Sequence, residues 1–500
     1  MLPLLTSSQI HEADAYTIAN EPITSAKLME RAAKGFVGWF INHFPDKKQA
    51  ISIYCGTGNN GGDGLAIARM LQDHHYKTLQ VRIVRYSEKS TDDFNANLKK
   101  LPNAINSAEI KPGEDFPSED SPIIIDAMLG SGLNKPLSGD YKKLVKHLND
   151  LQRIVVAVDV PTGFPTEGVV NEKATVLKAD LVITFQQAKI NFLLPESGPN
   201  IKCWEAVNIG INEKFVQLLN SPYQFVEERD IRKMLKPRHK FSNKGTYGHA
   251  LIVAGQAKTM GAALLCASAC AQAGSGLTTA CVPESGLVAL NSYMPEIMAI
   301  IRQGDDLPAI GWDKFTAMGI GPGLGDDENS LALLTYIFTN YHSPVVIDAD
   351  ALNVLATHKQ LWSVIPEGSI LTPHMKEFDR LFGEHESWWL RLQTAIEKAK
   401  ELKICIVLKN DYTITATPDG KAYFNSTSNA AMASGGMGDV LTGIITALLA
   451  QKYSPEEACI IGNYIHGRAG DELALPNRMN VVLPGKLITQ LPATMAKLNA

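Results

Sequence analysis

Residues Ile51 to Cys55, ISIYC, form a short apolar, β-rich run that passes directly into GTGNNGGDG (Gly56 to Gly64) and then into LAIARMLQ, which has a helical pattern. Strand, glycine loop and helix in immediate succession open a parallel α/β unit, because parallel strands need a long crossover that is usually a helix. The alternation continues, with strands reading at LQVRIV, PIIID, RIVVAVDV and DLVITF. Helical patterns lie between most of them, including Gly64 to Asp73 and Asp140 to Asp150. Two amphipathic helices precede the first strand, with Thr6 or Ser7 placed to cap one and Thr24 or Ser25 the other. The pattern predicts a parallel sheet covered on both faces, with ligands at the carboxyl ends of its strands. GTGNNGGDG, DAMLGSGLNKP (Asp126 to Pro136) and DVPTG (Asp159 to Gly163) all fall at such ends.

A second α/β run follows a polar, basic, proline-interrupted stretch near residues 211 to 245. Strands read at HALIVAG, GLTTACV, FTAMGI, PVVIDAD, GSILTP, KICIVLKN, YTITAT and KAYF, with antiparallel hairpin character near residues 404 to 425. Within this run lies Asn429 to Gly443, NAAMASGGMGDVLTG. Small residues lead into Gly435-Gly436-Met437-Gly438, then one acid, Asp439, then an apolar helix. Such a helix start is almost bare of side chains, so its backbone N–H groups can hold an anion. A phosphate held beside Asp439 is the layout for phosphoryl transfer, with the carboxylate as base for an attacking hydroxyl. A glycine-rich turn opening a buried helix would carry the same letters.

A chain of 500 residues has room for two to four domains. The net charge of −5, with no long basic run, argues against nucleic acid as a partner. Seven cysteines without a CxxC pair form no disulfide framework, and Cys266 and Cys270, four apart on a helix, read as core. These features point to a reducing compartment. The start, MLPLLTSSQIHEADAY, lacks the basic and apolar regions of a signal peptide, and no apolar run is long enough to span a membrane. A cytoplasmic protein is expected.

Several residues carry candidate chemistry. GTGNNGGDG formally contains GxGxxG, yet no clear ribose-binding acid follows; the first acid near the end of the next strand is Glu88. Asn59, Asn60 and Asp63 add oxygens and amides that a dinucleotide loop does not need, as if to grip a polar ligand or a cation. Asp126 ends strand PIIID and Asp159 sits in strand VVAVDV, where carboxylates are poorly solvated and tend to be paired or functional. Asn60, Asp126 and Thr162 offer only oxygen ligands with one formal charge, a set suited to a loosely held monovalent cation. Lys189 follows the last strand and either faces this site or is a solvated lysine. In the second run, His374 follows a proline before an apolar helix and could touch a ligand, or merely cap the helix. Asn410-Asp411 in KNDYT suits a turn. There is no GxxxxGK[ST], HExxH or GxSxG, so any nucleotide must be held by SGGMGD and neighbouring loops. His74-His75 has no metal-ligand partners at useful spacing.

These motifs together resemble a known family. GTGNNGGDGLAIAR, DAMLGSGLNKPLSG and VDVPTG are similar to the YjeF N-terminal domain of NAD(P)HX epimerases. NKGTYGHALIVAG, GIGPGLG, VVIDADALN, LTPHMKE, LKNDYT and MASGGMGDVLTG are similar to the ribokinase-like NAD(P)HX dehydratases. Fused in this order, across nearly the whole chain, they resemble the bifunctional NAD(P)H-hydrate repair enzymes of bacteria. The resemblance implies a Rossmann-like N-terminal domain (residues 1–215) that interconverts R and S hydrates of NADH and NADPH. It implies a ribokinase-like C-terminal domain (residues 225–500) that dehydrates the S form, coupled to hydrolysis of ADP or ATP with magnesium. Asp159 and Asp439 would be the catalytic groups. The hydrate would be held by Asn59, Asn60, Gly61, Gly62, Asp63, and by Gly130, Ser131, Gly132, Leu133, Asn134, Lys135 and Pro136. In the second domain it would meet Ala262, Gly323 and His374. Lys409, Asn410, Asp411, Tyr412, Thr413 and Gly438 would hold the nucleotide, and Asn60, Asp126 and Thr162 would bind potassium. A homo-oligomer is expected.

The chain departs from the family pattern at Asn410, where glycine is frequent, at Met375-Lys376, and in GQAKTMGAA, which lacks the usual serine and tyrosine. Two other readings stay open at this level: a ribokinase-class small-molecule kinase, whose GxGD site would be the same, and an N-terminal domain that senses a ligand without chemistry.

Overall fold

Ile51–Cys55 (β1) is buried at all five positions, as a largely apolar run requires of a strand covered on both faces. In this computed structural model, which describes residues 1–133, 135–302 and 311–499, β1 is an interior strand of a parallel sheet. The other strands are β2 (Leu79–Val84), β3 (Asn106–Ile110), β4 (Ile123–Ala127), β5 (Ile154–Val158), β6 (Leu181–Phe185) and β7 (Trp204–Val207). Their order is β3-β2-β1-β4-β5-β6-β7, and every pairing is parallel. The order reverses between β1 and β4, so the crevice outside the carboxyl ends of these two strands is where such a sheet binds ligands. Strands β3 and β7 went unread in the sequence because they are edges. Asn106, Ser107, Glu109, Glu205 and Ala206 are exposed, which erases the apolar signal.

The helices Ser7–Asn20 (α1) and Ser25–His43 (α2) begin at the expected caps. The Thr6 and Thr24 side chains accept from the backbone N–H of Gln9 and Lys27. The helix after β1 departs from expectation. It spans Asn59–Asp73 (α3) with Gly58 as its cap, so NNGGD is the helix's first turn and not a loop. The glycines permit this. A Cβ on Gly61 would lie 1.8 Å from the Gly56 carbonyl oxygen, and one on Gly64 would lie 2.6 Å from Ala127 Cβ. Gly61→Ala must therefore push backbone off backbone and is expected to cost roughly 3 kcal/mol or more. Gly38, in α2, has open space around its Cα. Gly38→Ala is expected to be neutral or to stabilise by up to about 1 kcal/mol. Thermal melts of the two variants check the contrast, and equal melting temperatures would refute it.

The chain divides into two compact units, Pro3–Ser221 with Ser387–Trp389, and Met1–Leu2 with Pro222–Glu386 and Leu390–Ala500. The second is also α/β. From Tyr223 onward its strands are β8 (Tyr223–Val226), β9 (His249–Val253), β10 (Leu277–Pro283), β11 (Met298–Arg302), β12 (Ala317–Ile320), β13 (Val345–Ile347), β14 (Ile370–Leu371), β15 (Cys405–Leu408), β16 (Ile414–Ala416) and β17 (Ala422–Asn425). They run in the order β8-β17-β16-β15-β14-β13-β12-β9-β10-β11. Pairing is parallel except for β15–β16 and β16–β17, the hairpin region seen in the sequence. The polar stretch near residues 211–245 is not a plain linker. It contains β8, which pairs with β17 through Tyr223–Val226, so a fragment starting at residue 225 would begin inside a strand.

The helix Met260–Gln272 (α4), rich in Ala and Cys, packs against Met437–Ala450 (α6), with Met375–Phe382 (α5) lying between them in sequence. The small residues matter because a Cβ on Gly443 would lie 2.2 Å from the Cys266 carbonyl oxygen. Helix α6 is buried from Val440 to Ala450, which explains a helix with no polar face. No described helix is long and apolar enough to cross a membrane.

Candidate active sites in the two units

In the first unit a cavity of ≈ 420 Å³ opens at the carboxyl ends of the strands, a size typical of small-molecule sites. Gly58, Asn59, Asn60 and Asp63 line it from the β1–α3 junction, Gly130 to Leu133 from beyond β4, and Asp159 from beyond β5. Lys189 lines it from beyond β6, and His11 and Asp14 from α1. Asp159 does not sit in the strand as the sequence suggested. The strand ends at Val158, and Asp159 has φ 64°, with Val160 N–H donating to the Val158 carbonyl at 2.8 Å. That is a tight turn with left-handed backbone, an uncommon and costly state for a non-glycine residue. The turn lifts the carboxylate out of the sheet onto Lys189, whose Nζ lies 2.7 Å from Asp159 Oδ1. Phe185 N–H (3.0 Å) and Thr184 Oγ1 (3.2 Å) donate to the same oxygen. Lys189 is buried, so it faces the site and is not a solvated lysine.

Asp63 and Asp14 are held differently. Burial pushes the Asp63 carboxyl well above the usual range, with Asp159, Asp14 and Asp93 adding to the effect. Burial pushes Asp14 up to about 6, opposed by His11 and Lys189 and reinforced by Asp159. Gly61 and Gly62 do not line the cavity; their missing side chains admit Gly56 and Met29. Ser131, Gly132 and Leu133 are shared with a neighbouring cavity of ≈ 470 Å³, which also has Lys135 and Pro136 in its wall. Asn134 lies outside the described residues.

Of the three expected cation ligands, Asp126 and Thr162 are in direct contact, and Asn60 lies against Gly130. Thr162 donates through its N–H to Asp126 Oδ2 and through Oγ1 to Asp126 Oδ1, both at 2.7 Å, and Met128 N–H donates to Oδ1 at 3.1 Å. Burial pushes Asp126 up to about 6 against these bonds. The Asn60 amide is buried with its Nδ2 unsatisfied. Its Oδ1 would lie 3.4 Å from a Cβ built on Gly130, in the loop beyond β4. The oxygens of Asn60, Asp126 and Thr162 make a set with one formal charge, the chemistry of a monovalent cation site; the unsatisfied Asn60 Nδ2 is a donor and takes no part in it. Among the described residues no group of three or more His, Cys, Asp or Glu is arranged to hold a metal ion.

In the second unit a cavity of ≈ 640 Å³ lies at the carboxyl ends of β13, β14, β15 and β17. Gly436, at φ 95°, turns the chain into α6, so Met437, Gly438 and Asp439 form its first turn. The Asp439 carboxyl makes no hydrogen bond among the described residues. Burial pushes it up to about 7, with Asp348, Asp350 and Glu377 raising it and Lys409 lowering it. Beside Gly438, Lys409 Nζ sits 2.9 Å from Asp348 Oδ1 and 4.0 Å from Glu377 Oε2. Asp348 Oδ2 accepts from Thr442 Oγ1 at 2.7 Å. Burial opposes the Asp348 charge, but Lys409, Thr442 and Thr372 outweigh it and hold the carboxyl below its usual range.

His374 caps α5, its Nδ1 accepting from Lys376 and Glu377 N–H, and it also lines the cavity. Lys409, Asn410, Asp411 and Thr413 line it as well, whereas Tyr412 does not. Both amide atoms of Asn410 and Nε2 of His466 are buried there without partners. Ala262 and Gly323 lie outside this wall and pack on each other; a Cβ on Gly323 would sit 3.0 Å from Ala262 Cβ.

Asp348, Glu377, His466 and Asp14 were not singled out from the sequence. Asp348 carries the signal that marked Asp126, an acid at the end of an apolar strand. Glu377 pairs with His374 three residues earlier as a helix cap, which hid its place in the cavity, and Asp14 and His466 carry no local signal because only the folded chain brings them to the cavity walls.

Comparisons with known proteins agree with this layout. Residues 25–190 match the family described as YjeF-related protein N-terminus, and residues 250–493 match NAD(P)H-hydrate dehydratase. A bifunctional NAD(P)H-hydrate repair enzyme from Moorella thermoacetica is 31% identical, covering 99% of this chain and 97% of its own. One from Escherichia coli is 32% identical, covering 90% and 86%. The structure of an ADP/ATP-dependent NAD(P)H-hydrate dehydratase from Bacillus subtilis, co-crystallized with ATP and Mg²⁺, superposes with a TM-score of 0.50 at 32% identity, covering 55% of this chain and 98% of that one. With full-length relatives of this identity and both halves matched in order, the chain belongs to the family of bifunctional NAD(P)H-hydrate repair enzymes.

Proposed function

We propose that this chain restores hydrated NADH and NADPH in two steps, one in each unit. The first unit interconverts the R and S epimers at C6 of the hydrated nicotinamide ring. The second removes water from the S epimer at the expense of ADP or ATP. The observation that carries the reading is Asp439, a carboxyl without a hydrogen bond on the first turn of α6, beside the Asp348–Lys409 pair.

In the second unit Asp439 takes the proton of the C6 hydroxyl as that oxygen attacks the terminal phosphorus of the nucleotide. The amides at the start of α6 stabilise the charge on the transferring group. The ring nitrogen's lone pair then expels phosphate from C6, and loss of a C5 proton leaves the dihydropyridine. Lys409 to Thr413 would hold the nucleotide. Magnesium would neutralise its phosphates, and Asp348 and Glu377 would offer the ion hard oxygen ligands. In the first unit the Asp159–Lys189 pair would move protons at C6 while Asn59, Asp63 and Gly130 to Leu133 hold the hydrate.

Asn60, Asp126 and Thr162 would hold potassium there, supplying positive charge beside the hydrate's phosphates. Epimerisation is expected to be fastest in potassium, slower in sodium and slowest in choline. Asp126→Ala should weaken epimerisation and leave dehydration unchanged. Equal rates in the three buffers would remove the cation from the reading.

The deciding experiment supplies the full chain with mixed-epimer NADHX and either ADP or ATP, and follows the absorbance of regenerated NADH. Complete conversion of both epimers is expected. Conversion that stops when the S epimer is spent would exclude epimerisation, and a stable phosphorylated product would make the second unit a kinase.

A further inference from the structure

Epimerisation at C6 reverses one stereocentre, so it needs proton transfer on both faces of the ring. If the hydroxyl leaves from one face and water returns to the other, one group must give a proton and a second must take one. The Asp159–Lys189 pair supplies one group. We propose that Asp14 supplies the other, as a catalytic residue of the first unit that gives a proton to the C6 hydroxyl on one face while Asp159 accepts the proton of water entering on the other. The proposal rests on the epimerase reading of that cavity.

The geometry supports it in three ways. Asp14 lines the cavity from α1, one turn from His11, whereas Asp159 enters from the end of β5; the two carboxyls come from different elements. The Asp14 carboxyl has no hydrogen bond or ion pair among the described residues, although it is half-buried in the cavity wall. Asp159, by contrast, is gripped by Lys189, Thr184 and the Phe185 N–H. Of the three described carboxyls that line the cavity, Asp159 is ion-paired while Asp14 and Asp63 are bare, and an ion-paired carboxyl facing a bare one has the contrast that separates a base from an acid.

The charged groups that act on Asp14 are His11 from its own helix and Lys189 and Asp159 from the sheet; Asp63 on α3 feels Asp14 in turn. Burial outweighs the two cations and, with Asp159, pushes Asp14 up to about 6, where it can give and take a proton close to neutral pH. Burial pushes Asp63 up as well, with Asp159, Asp14 and Asp93 adding to the effect.

The step balances. The C6–O bond breaks with its electron pair going to oxygen, which leaves as water carrying the Asp14 proton. The ring nitrogen's lone pair forms the N1=C6 bond of an iminium. Water adds to C6 from the opposite face, the π pair returns to nitrogen, and the extra proton goes to Asp159. Starting from the other epimer the two carboxyls exchange roles.

The test uses full-length protein with Asp14→Asn and Asp14→Glu. Interconversion of purified R-NADHX and S-NADHX is resolved by chromatography without nucleotide. ¹⁸O entry at C6 from labelled water is measured in the same samples. Asp14→Asn is expected to lower the epimerisation kcat by ~10²-fold or more with KM nearly unchanged. It should slow ¹⁸O entry in parallel and leave nucleotide-coupled dehydration of S-NADHX at the wild-type rate. In wild type the rate should fall as pH rises through a group near 6, and this limb should vanish in the Asn variant. Asp14→Glu should retain part of the activity with the limb displaced. If Asp14→Asn fails to fold, the displaced limb in Asp14→Glu decides. Wild-type kcat and pH profile in the Asn variant, an effect confined to KM, or an unshifted Glu profile would overturn the role of Asp14. Absence of interconversion by the wild type would overturn the epimerase reading itself, and the proposal with it.

Discussion

Asp439→Asn is expected to slow dehydration by roughly 10²–10⁴-fold while nucleotide affinity changes little. The carboxyl is the only group on the first turn of α6 able to accept a proton, and it makes no hydrogen bond whose loss would disturb the loop. Burial holds it near 7, so wild-type kcat/KM should rise with pH through about 7, and the Asn variant should be flat. The same burial gives a second, opposite effect. A carboxyl raised in the fold is neutral in both states below about 4 and is penalised in the fold once ionised. Stability is therefore lost as pH climbs from 3.8 through 7. The Asn variant escapes that loss. It should be more stable than wild type at pH 8 by about 2 kcal/mol, discounted for the open cavity, and no more stable at pH 4. Activity and melting curves at the two pH values test both signs. Near-normal turnover in a folded Asn variant would remove Asp439 from the mechanism.

Lys409→Met should damage both stability and chemistry. It strips the cation from Asp348, whose side chain is only 2% exposed, and stranding one partner of a buried pair costs about 3–5 kcal/mol. In wild type the depressed Asp348 contributes stability above its unfolded value of 3.8, and this is lost as pH falls through its lower folded value. In the variant the unpaired charge is a cost at neutral pH that protonation relieves. The gap in melting temperature between wild type and variant should therefore be widest at pH 8 and narrow toward pH 4. Lys409 also lowers Asp439, so the rising limb of the rate profile should move to higher pH, and nucleotide should bind more weakly. An equal loss of stability at both pH values would show that the Asp348 pair is not what Lys409 sustains.

Much of this was legible in the letters, for reasons that differ by residue. β1, β4, β5 and β9 could be read because strands buried on both faces are largely apolar. β3, β7 and β8 could not, since edge positions and half-exposed faces admit Asn, Glu and Gln. The SGGMGD segment announced its helix start because only glycine tolerates the φ of 95° at Gly436. The start of α3 was misplaced because glycines that look like a loop were needed for close packing of a helix on a sheet. Asp159 was found as a residue but not as a conformation: nothing local records the turn at φ 64° that swings it onto Lys189.

The sequence by itself determined two α/β runs, their glycine-rich junctions and the acids at the strand ends. These are properties of short segments, set by burial, by glycine and by alternation along one strand. The tertiary structure alone decided which of those acids carry a cation, which stand bare, and which share a cavity. Asp14 reads as the polar face of a surface helix until α1 is laid against the end of the sheet. Lys409 reads as the edge of a turn until it is brought 2.9 Å from Asp348, sixty-one residues away. Charge and desolvation depend on distance in space, so the chemistry of each carboxyl was fixed only when the chain had closed around it.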